Sequence, residues 1–150
     1  MAHKIIATNR KAYHNYHIIQ KYEAGISLLG SEVKSVKENK ISIKESYVRF
    51  VKRELYAIGM NISEYSKQGY TTHDPQRVKK LLLNKKEIKE IKEYVDQKGY
   101  TLIPTSVYLK NGKIKVEFGI AKGKKLWDKR KDKMDKDIKR DIERKLKGRV

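Results

Sequence analysis

His14 and His17 stand three residues apart and are the first side chains along the chain that could share a metal or pass a proton. Tyr16, Ile18 and Ile19 around them favour a strand, where residues three apart point to opposite faces and cannot close on one ion. Only a helical segment would let the two rings converge. Gly119 to Lys125 resembles a phosphate loop superficially. It has three residues between its glycines rather than four, and Lys125 stands where a Ser or Thr would hold magnesium. His73 reads as part of a helix-start turn rather than as a general base. Carboxylates are scattered among lysines, and the absence of Cys removes thiolate chemistry, disulfides and Cys-based zinc sites. These residue types predict a binding protein that catalyses nothing and needs no metal or cofactor.

Aromatic and basic residues point to a different chemistry. The 150 residues include ten Tyr, two Phe and one Trp, with 37 Lys and Arg against 18 Asp and Glu, a formal net charge of +19. Such a field attracts polyanions, so nucleic acid is the expected partner. Tyr13 and Tyr16 lie beside Lys11 and His14, the mixture of flat rings and cations that recognises splayed RNA. No apolar run approaches 18 residues and the first residues hold no long apolar stretch, so a cytoplasmic protein without a membrane span is expected.

The elements that must position these residues are short. Tyr13 to Leu29 reads as two strand-like runs with a bend or bulge at Gly25. Ser31 to Val36 reads as a short helix capped by Ser31, with Glu32 at its positive end and Asn39 as its left-handed stop. Ile41–Val51 and Leu55–Ile62 read as paired strands. His73-Asp74-Pro75 predicts a helix start running into Leu81-Leu82-Leu83. Asn84-Lys85-Lys86-Glu87 has capping-box spacing and predicts a second helix buried along Ile88, Ile91 and Val95 and stopped by Gly99. Asn111-Gly112 between Thr101–Leu109 and Ile114–Ala121 is a strong hairpin signal. The sum is a mainly β protein: an antiparallel, OB-like barrel of about six strands over residues 1–120, with short helices at its ends.

Residues 121–150 differ in kind. They carry 14 basic and 6 acidic residues, against 23 and 12 in the preceding 120. Their few apolar groups cannot offset ordering entropy, which predicts a basic tail disordered in the free protein. Met134, Ile138, Ile142 and Leu146 recur every four residues, with Trp127 seven before Met134. This is a latent helix, formed when a partner supplies the missing surface.

Seven motifs occur in one order: Asn9-Arg10-Lys11-Ala12, Tyr22-Glu23-Ala24-Gly25, Gly30-x-Glu32-Val33-Lys34-Ser35, Asp74-Pro75, Lys80-Leu81-Leu82-Leu83-Asn84, Lys98-Gly99 and Ala121-Lys122-Gly123-Lys124-Lys125-x-x-Asp128-Lys129-Arg130. Through them the sequence, from about Asn9 to Arg130, resembles the small protein B family (SmpB), the SsrA-binding proteins. The resemblance implies a barrel that binds the tRNA-like domain of transfer-messenger RNA. It also implies delivery of that RNA, with elongation factor Tu and GTP, to stalled ribosomes. The tail would act in the decoding centre and mRNA channel, and the protein would be a monomer.

Residue by residue, the resemblance implies RNA contacts at Asn9, Lys11, His14, Tyr16, Glu23, Lys34, Leu82 and Asn84. Tyr16 can stack, Asn84 can hydrogen-bond bases or backbone, and Glu23 can accept from exocyclic amines. In the tail it implies ribosome contacts at Lys122, Gly123, Lys124, Lys125, Trp127, Asp128, Lys129 and Arg130. The cations would neutralise phosphates, Gly123 would allow close approach, and Trp127 stands where relatives often carry His or Tyr and could stack. Lys79 stands where relatives often have Arg, and the segment from Glu64 to Thr72 matches least. The residues alone leave a second reading, a structural ribosomal protein with a tail threaded through rRNA. Composition does not separate the two.

Overall fold

A computed structural model describes residues 4–64, 73–123 and 140. The predicted tail disorder, the tail helix and tail residues Lys124, Lys125, Trp127, Asp128, Lys129 and Arg130 lie outside the described residues, as does most of the segment that matches least.

The elements in chain order are β1 (Lys4–Thr8), α1 (Arg10–Asn15), β2 (Tyr16–Ile26), α2 (Gly30–Lys37), β3 (Ile41–Ser42), β4 (Tyr47–Val51), β5 (Glu54–Ile58), β6 (Asn61–Ile62), β7 (Lys79–Leu82), α3 (Lys85–Lys98), β8 (Thr101–Lys110) and β9 (Lys113–Gly123). Six strands close a ring in the order β8-β4-β5-β7-β2-β9, with β9 returning to β8. Every neighbouring pair is antiparallel. β1 adds to β8 along Ser106–Leu109, beyond the single β4 pair at Leu102. β3 and β6 form a separate two-stranded ribbon.

The expected antiparallel barrel is therefore present. Its long strands bend at bulges, at Ile18/Gln20 in β2 and Pro104/Ser106 in β8. A Cβ on Gly119 would lie 2.6 Å from Ile18 Cγ2, so β9 can pass this bend only without a side chain. Asn111 (φ 53°) and Gly112 (φ 75°) turn the β8–β9 hairpin as predicted. Alternation fixes the register: Val116, Phe118 and Ile120 of β9 point inward and are fully buried with Leu55, Ala57, Leu81 and Val107. Phe118 stacks on Tyr22, ring centroids 6.0 Å apart.

α3 begins where Asn84 predicts. Its Oδ1 accepts from the Glu87 N–H at 2.8 Å, and Gly99 (φ 64°) stops the helix. Ile91 is buried, while Ile88 and Val95 pack against the core beside it. Asn39 (φ 63°) follows the end of α2, as expected.

Four expectations are corrected. Residues 10–15 are helical, and β2 is then one unbroken strand with Gly25 paired inside it. The cap of α2 is not the Ser31 side chain: Glu32 Oε1 accepts from the Leu29 N–H at 2.7 Å, and Ser31 bonds His73 instead. Asp74-Pro75 starts a turn rather than a helix. Asp74 Oδ1 accepts from the Gln76 N–H at 2.9 Å, and the leucine run that follows is β7. The sheet also runs three residues past the boundary expected after Ile120. Ala121 is fully buried between Ile18 and Thr101, with Lys122 and Gly123 completing β9.

A buried polar cluster ties α2 to the segment leading into β7. Glu32 is fully buried and takes both arms of Arg77, Nη2 at 2.6 Å and Nε at 3.1 Å. Burial alone would raise the Glu32 carboxyl, but the bonds from Arg77 and the Leu29 N–H outweigh it and hold the carboxyl below its ordinary value. His73 donates from Nε2 to the Ile62 carbonyl at 2.9 Å, so Nδ1 accepts from Ser31, also at 2.9 Å. Lys79 is fully buried and donates to the Met60 carbonyl at 2.8 Å; burial lowers its pKa.

Candidate nucleic-acid interface

The expected RNA-binding residues fall along β2 and its neighbours. At its first end stands α1, built on Asn9. That side chain is 2% exposed. Its Nδ2 donates to the Ile43 and Pro104 carbonyls at 3.2 and 3.1 Å, and its Oδ1 accepts from the Ala12 N–H. With its amide engaged inside the protein, Asn9 is a positioning residue. It presents Lys11 and His14, three apart on one helix face and both exposed. Tyr16 packs partly on Ala12, Ile103 and Ala121 and keeps part of its ring at the surface. A groove of about 380 Å³ runs past Lys11, Asn15 and Tyr16 to Lys44 and Tyr47.

Across the sheet, Tyr16 pairs with Gly123 and His17 with Lys122. Two residues expected in the tail thus sit at the same end of β2 as Lys11, His14 and Tyr16. His14 on α1 and His17 on β2 belong to different elements.

Five residues further along lies a second groove, about 550 Å³, lined by Tyr13, Lys21, Glu23, Thr105, Tyr108 and Glu117. Tyr22 and Ala24 face the core, which turns Lys21 and Glu23 outward. Glu23 accepts a hydrogen bond from the Tyr108 hydroxyl and lies 3.3 Å from Lys110 Nζ. The Tyr108 bond, aided by Lys110, holds the Glu23 carboxyl below its usual range. Burial and the same bond push the Tyr108 hydroxyl well above the ordinary tyrosine value. Glu117, opposite Glu23, accepts from Thr105 Oγ1 at 2.9 Å and lies 3.6 Å from Lys21 Nζ. Lys21 also stands 5.0 Å from the centroid of the Tyr13 ring. Two carboxylates between tyrosine rings can accept from the amino or hydroxyl groups of a nucleotide, while the surrounding lysines can neutralise its phosphates.

At the far end of β2, Gly25 pairs with Leu82, which is 51% exposed. A Cβ on Gly25 would meet the Leu82 side chain at 3.4 Å, an ordinary contact, so the strand faces Leu82 directly here. A third groove, about 450 Å³, lies here between Leu82, Lys37, Lys113 and Lys115. Asn84 is exposed beyond it. Its oxygen caps α3, and its amide nitrogen donates to no other described residue, so capping and ligand binding are compatible. Lys34 is half-buried on α2. From Tyr16 to Gly25 the strand spans at most about 30 Å.

Sequence reasoning missed Glu117, Tyr108 and Lys110. Glu117 was legible, because Lys115 and Glu117 alternate with the apolar Val116 and Phe118. The Tyr108–Glu23 bond was not, since it joins residues 85 apart.

The family model for SmpB protein matches residues 6–148. The chain is 52% identical over 144 residues to the SsrA-binding protein of Caldanaerobacter subterraneus subsp. tengcongensis, covering 96% of this chain and 91% of that one. It is 47% identical over 150 residues to the SsrA-binding protein of Persephonella marina, covering 100% and 99%. A chain in the solved structure described as "tmRNA-SmpB: a journey to the center of the bacterial ribosome" superposes with TM-score 0.66 at 44% identity, covering 80% of this chain and 85% of that one. The resemblance drawn from seven short motifs thus extends over nearly the whole sequence, and the chain belongs to the SmpB protein family.

Proposed function

We propose that this chain binds the tRNA-like domain of transfer-messenger RNA along the outer side of β2 and delivers it to stalled ribosomes for tagging of the nascent peptide. The observation that carries the reading is the juxtaposition along β2. Stacking rings, two carboxylates, an exposed leucine and lysines that form no ion pair with another described residue follow one another on a chain of net charge +19. The names of the relatives and the ribosomal assembly of the solved structure support the same reading. The protein acts by binding and positioning and catalyses nothing. Elongation factor Tu and GTP join through the RNA, and the work is done in the cytoplasm. No helix among the described residues is long and apolar enough to cross a membrane.

Labour is divided between the two parts. The barrel grips the RNA domain, and the basic tail, with Lys124, Lys125, Trp127, Asp128, Lys129 and Arg130, engages the decoding centre and the empty mRNA channel. Lys122 and Gly123 sit at the junction, held by β9 beside His17 and Tyr16.

Two measurements test the barrel's part. Exposed Lys11, Lys113 and Lys122 form no ion pair with another described residue. If each neutralises one phosphate, the log affinity for tRNA-like-domain RNA falls with log salt at a slope of about −2 to −3. A slope near zero would contradict electrostatic seating on this face. Glu23→Ala is expected to weaken that binding about tenfold through loss of a charge-assisted acceptor. Glu23 is one-third exposed and its ion pair is at the surface, so stability should fall by no more than about 1 kcal/mol. A titration paired with a circular-dichroism melt separates the two effects; collapse of the melt would make Glu23 a structural residue.

A further inference from the structure

The groove at Glu23 contains a tyrosine that belongs to neither of the strands carrying its carboxylates. Tyr108 lies on β8, with β9 between it and β2: it pairs with Lys115, and Lys115 pairs in turn with Gly25. Its hydroxyl reaches over β9 and donates to Glu23 Oε2. At 5% exposure its ring offers no free face to a base, so an effect on bound RNA has to pass through Glu23. Burial and the bond to Glu23 raise the Tyr108 hydroxyl, which keeps it a donor across the neutral range.

Glu23 sits where a carboxylate is hard to hold still. Glu117 stands directly opposite on β9, and like charges facing each other across a strand pair repel. Glu117 is fixed by Thr105 Oγ1 at 2.9 Å. Lys110 Nζ, 3.3 and 3.4 Å from the two Glu23 oxygens, is one-third exposed, and a surface ion pair of that kind constrains little. Tyr108 is the buried tether. A carboxylate has about four acceptor positions; these two donors occupy two and leave two for the amino or hydroxyl groups of a nucleotide. We propose that Tyr108 is a positioning residue for RNA recognition, holding the Glu23 carboxylate in the orientation that presents its free acceptor positions to the groove. The proposal rests on reading the face along β2 as the RNA site.

The test uses the full chain and tRNA-like-domain RNA. Tyr108→Phe removes the donor and keeps the ring, and it is expected to weaken binding about fivefold, the cost of ordering one freed side chain. On the Glu23→Ala background the same change should add nothing, so the double variant loses about tenfold rather than about fiftyfold. Carbon NMR of the Glu23 carboxyl supplies a readout that packing alone would not move. The Tyr108 bond is the largest influence lowering this group, aided by Lys110 of β8 and Lys115 of β9. Glu117 of β9, Lys21 of β2 and Tyr13 of α1 line the same groove and stay unchanged in the variant. The carboxyl should therefore titrate at a higher pH in Tyr108→Phe than in the wild type. If the variant folds poorly, the wild-type chain still decides: bound RNA should shift the Glu23 Cδ resonance more than the Tyr108 ring resonances. Unchanged affinity in Tyr108→Phe, a fiftyfold loss in the double variant, an unmoved Glu23 titration, or a larger shift at the Tyr108 ring would each overturn the proposal. Failure of the wild-type chain to bind the RNA at all is a different result, because it overturns the function along β2 on which the tether depends.

Discussion

Replacing Arg77 by alanine is expected to destabilise the protein by about 3 kcal/mol at neutral pH, a large share of the roughly 5 to 15 kcal/mol that holds a domain together. Glu32 is fully buried, and Arg77 supplies both of its side-chain donors. Without them the carboxylate keeps the Leu29 N–H and little else. Arg77 also donates to the carbonyls of Ser27 and Val78, so the change loosens the crossing from the end of β2 to β7. The pH dependence distinguishes this cause from lost packing. In the wild type the Glu32 carboxyl is held below its ordinary value of 4.5, so the pair's contribution is complete above that value and is lost as pH falls through the lower, folded one. In the variant, burial, the largest single influence on the carboxyl, is opposed only by the Leu29 N–H and the Lys79 charge, so the carboxyl rises from its wild-type folded value and acidification relieves part of the defect. Denaturant titrations from neutral pH down to about 4 should show the two proteins converging. A constant gap, or a neutral-pH difference under about 0.5 kcal/mol, would contradict the account.

Cutting the chain after Gly123 is expected to abolish tagging on stalled ribosomes while lowering affinity for the isolated tRNA-like domain by no more than about tenfold, the general loss of cations. The position of the cut matters. Ala121 is fully buried between Ile18 and Thr101, and Tyr16 pairs with Gly123, so a cut after Ile120 removes the last rungs of β9 beside α1. That shorter chain should lose RNA binding along with the shape of the Tyr16 end. Mobility shifts with the RNA domain, run beside a tagging assay, read both effects. A folded 1–123 chain that fails to bind the RNA, or one that still supports tagging, would contradict the division of labour.

How legible these features were depended on the range of the interactions that make them. Asn111-Gly112 and the Asn84-to-Gly99 frame each specify a local geometry within a few residues, and both elements form where the sequence places them. The leucine run after Asp74-Pro75 fits a buried strand or a helix equally by pattern. Its state is decided by partners far along the chain: Lys80 pairs with Tyr56, and Leu81 and Leu82 pair with Ile26 and Gly25. α1 was misread for a related reason. Its cap is held by the carbonyls of Ile43 and Pro104, while its own six residues flow into a β-forming run. At the candidate site the family pattern names single residues but not their settings. Asn9 proved to be a buried brace, and Glu23 gained a tyrosine partner 85 residues away.

The most direct test is a competition titration: labelled tRNA-like-domain RNA held by the full chain at moderate salt, challenged with the same RNA unlabelled and, separately, with ordinary tRNA. The account predicts displacement by the unlabelled domain at far lower concentration than by tRNA, with Glu23→Ala narrowing that difference. Equal displacement by the two RNAs, with Glu23→Ala indistinguishable from wild type, would reduce the face along β2 to a nonspecific cationic surface.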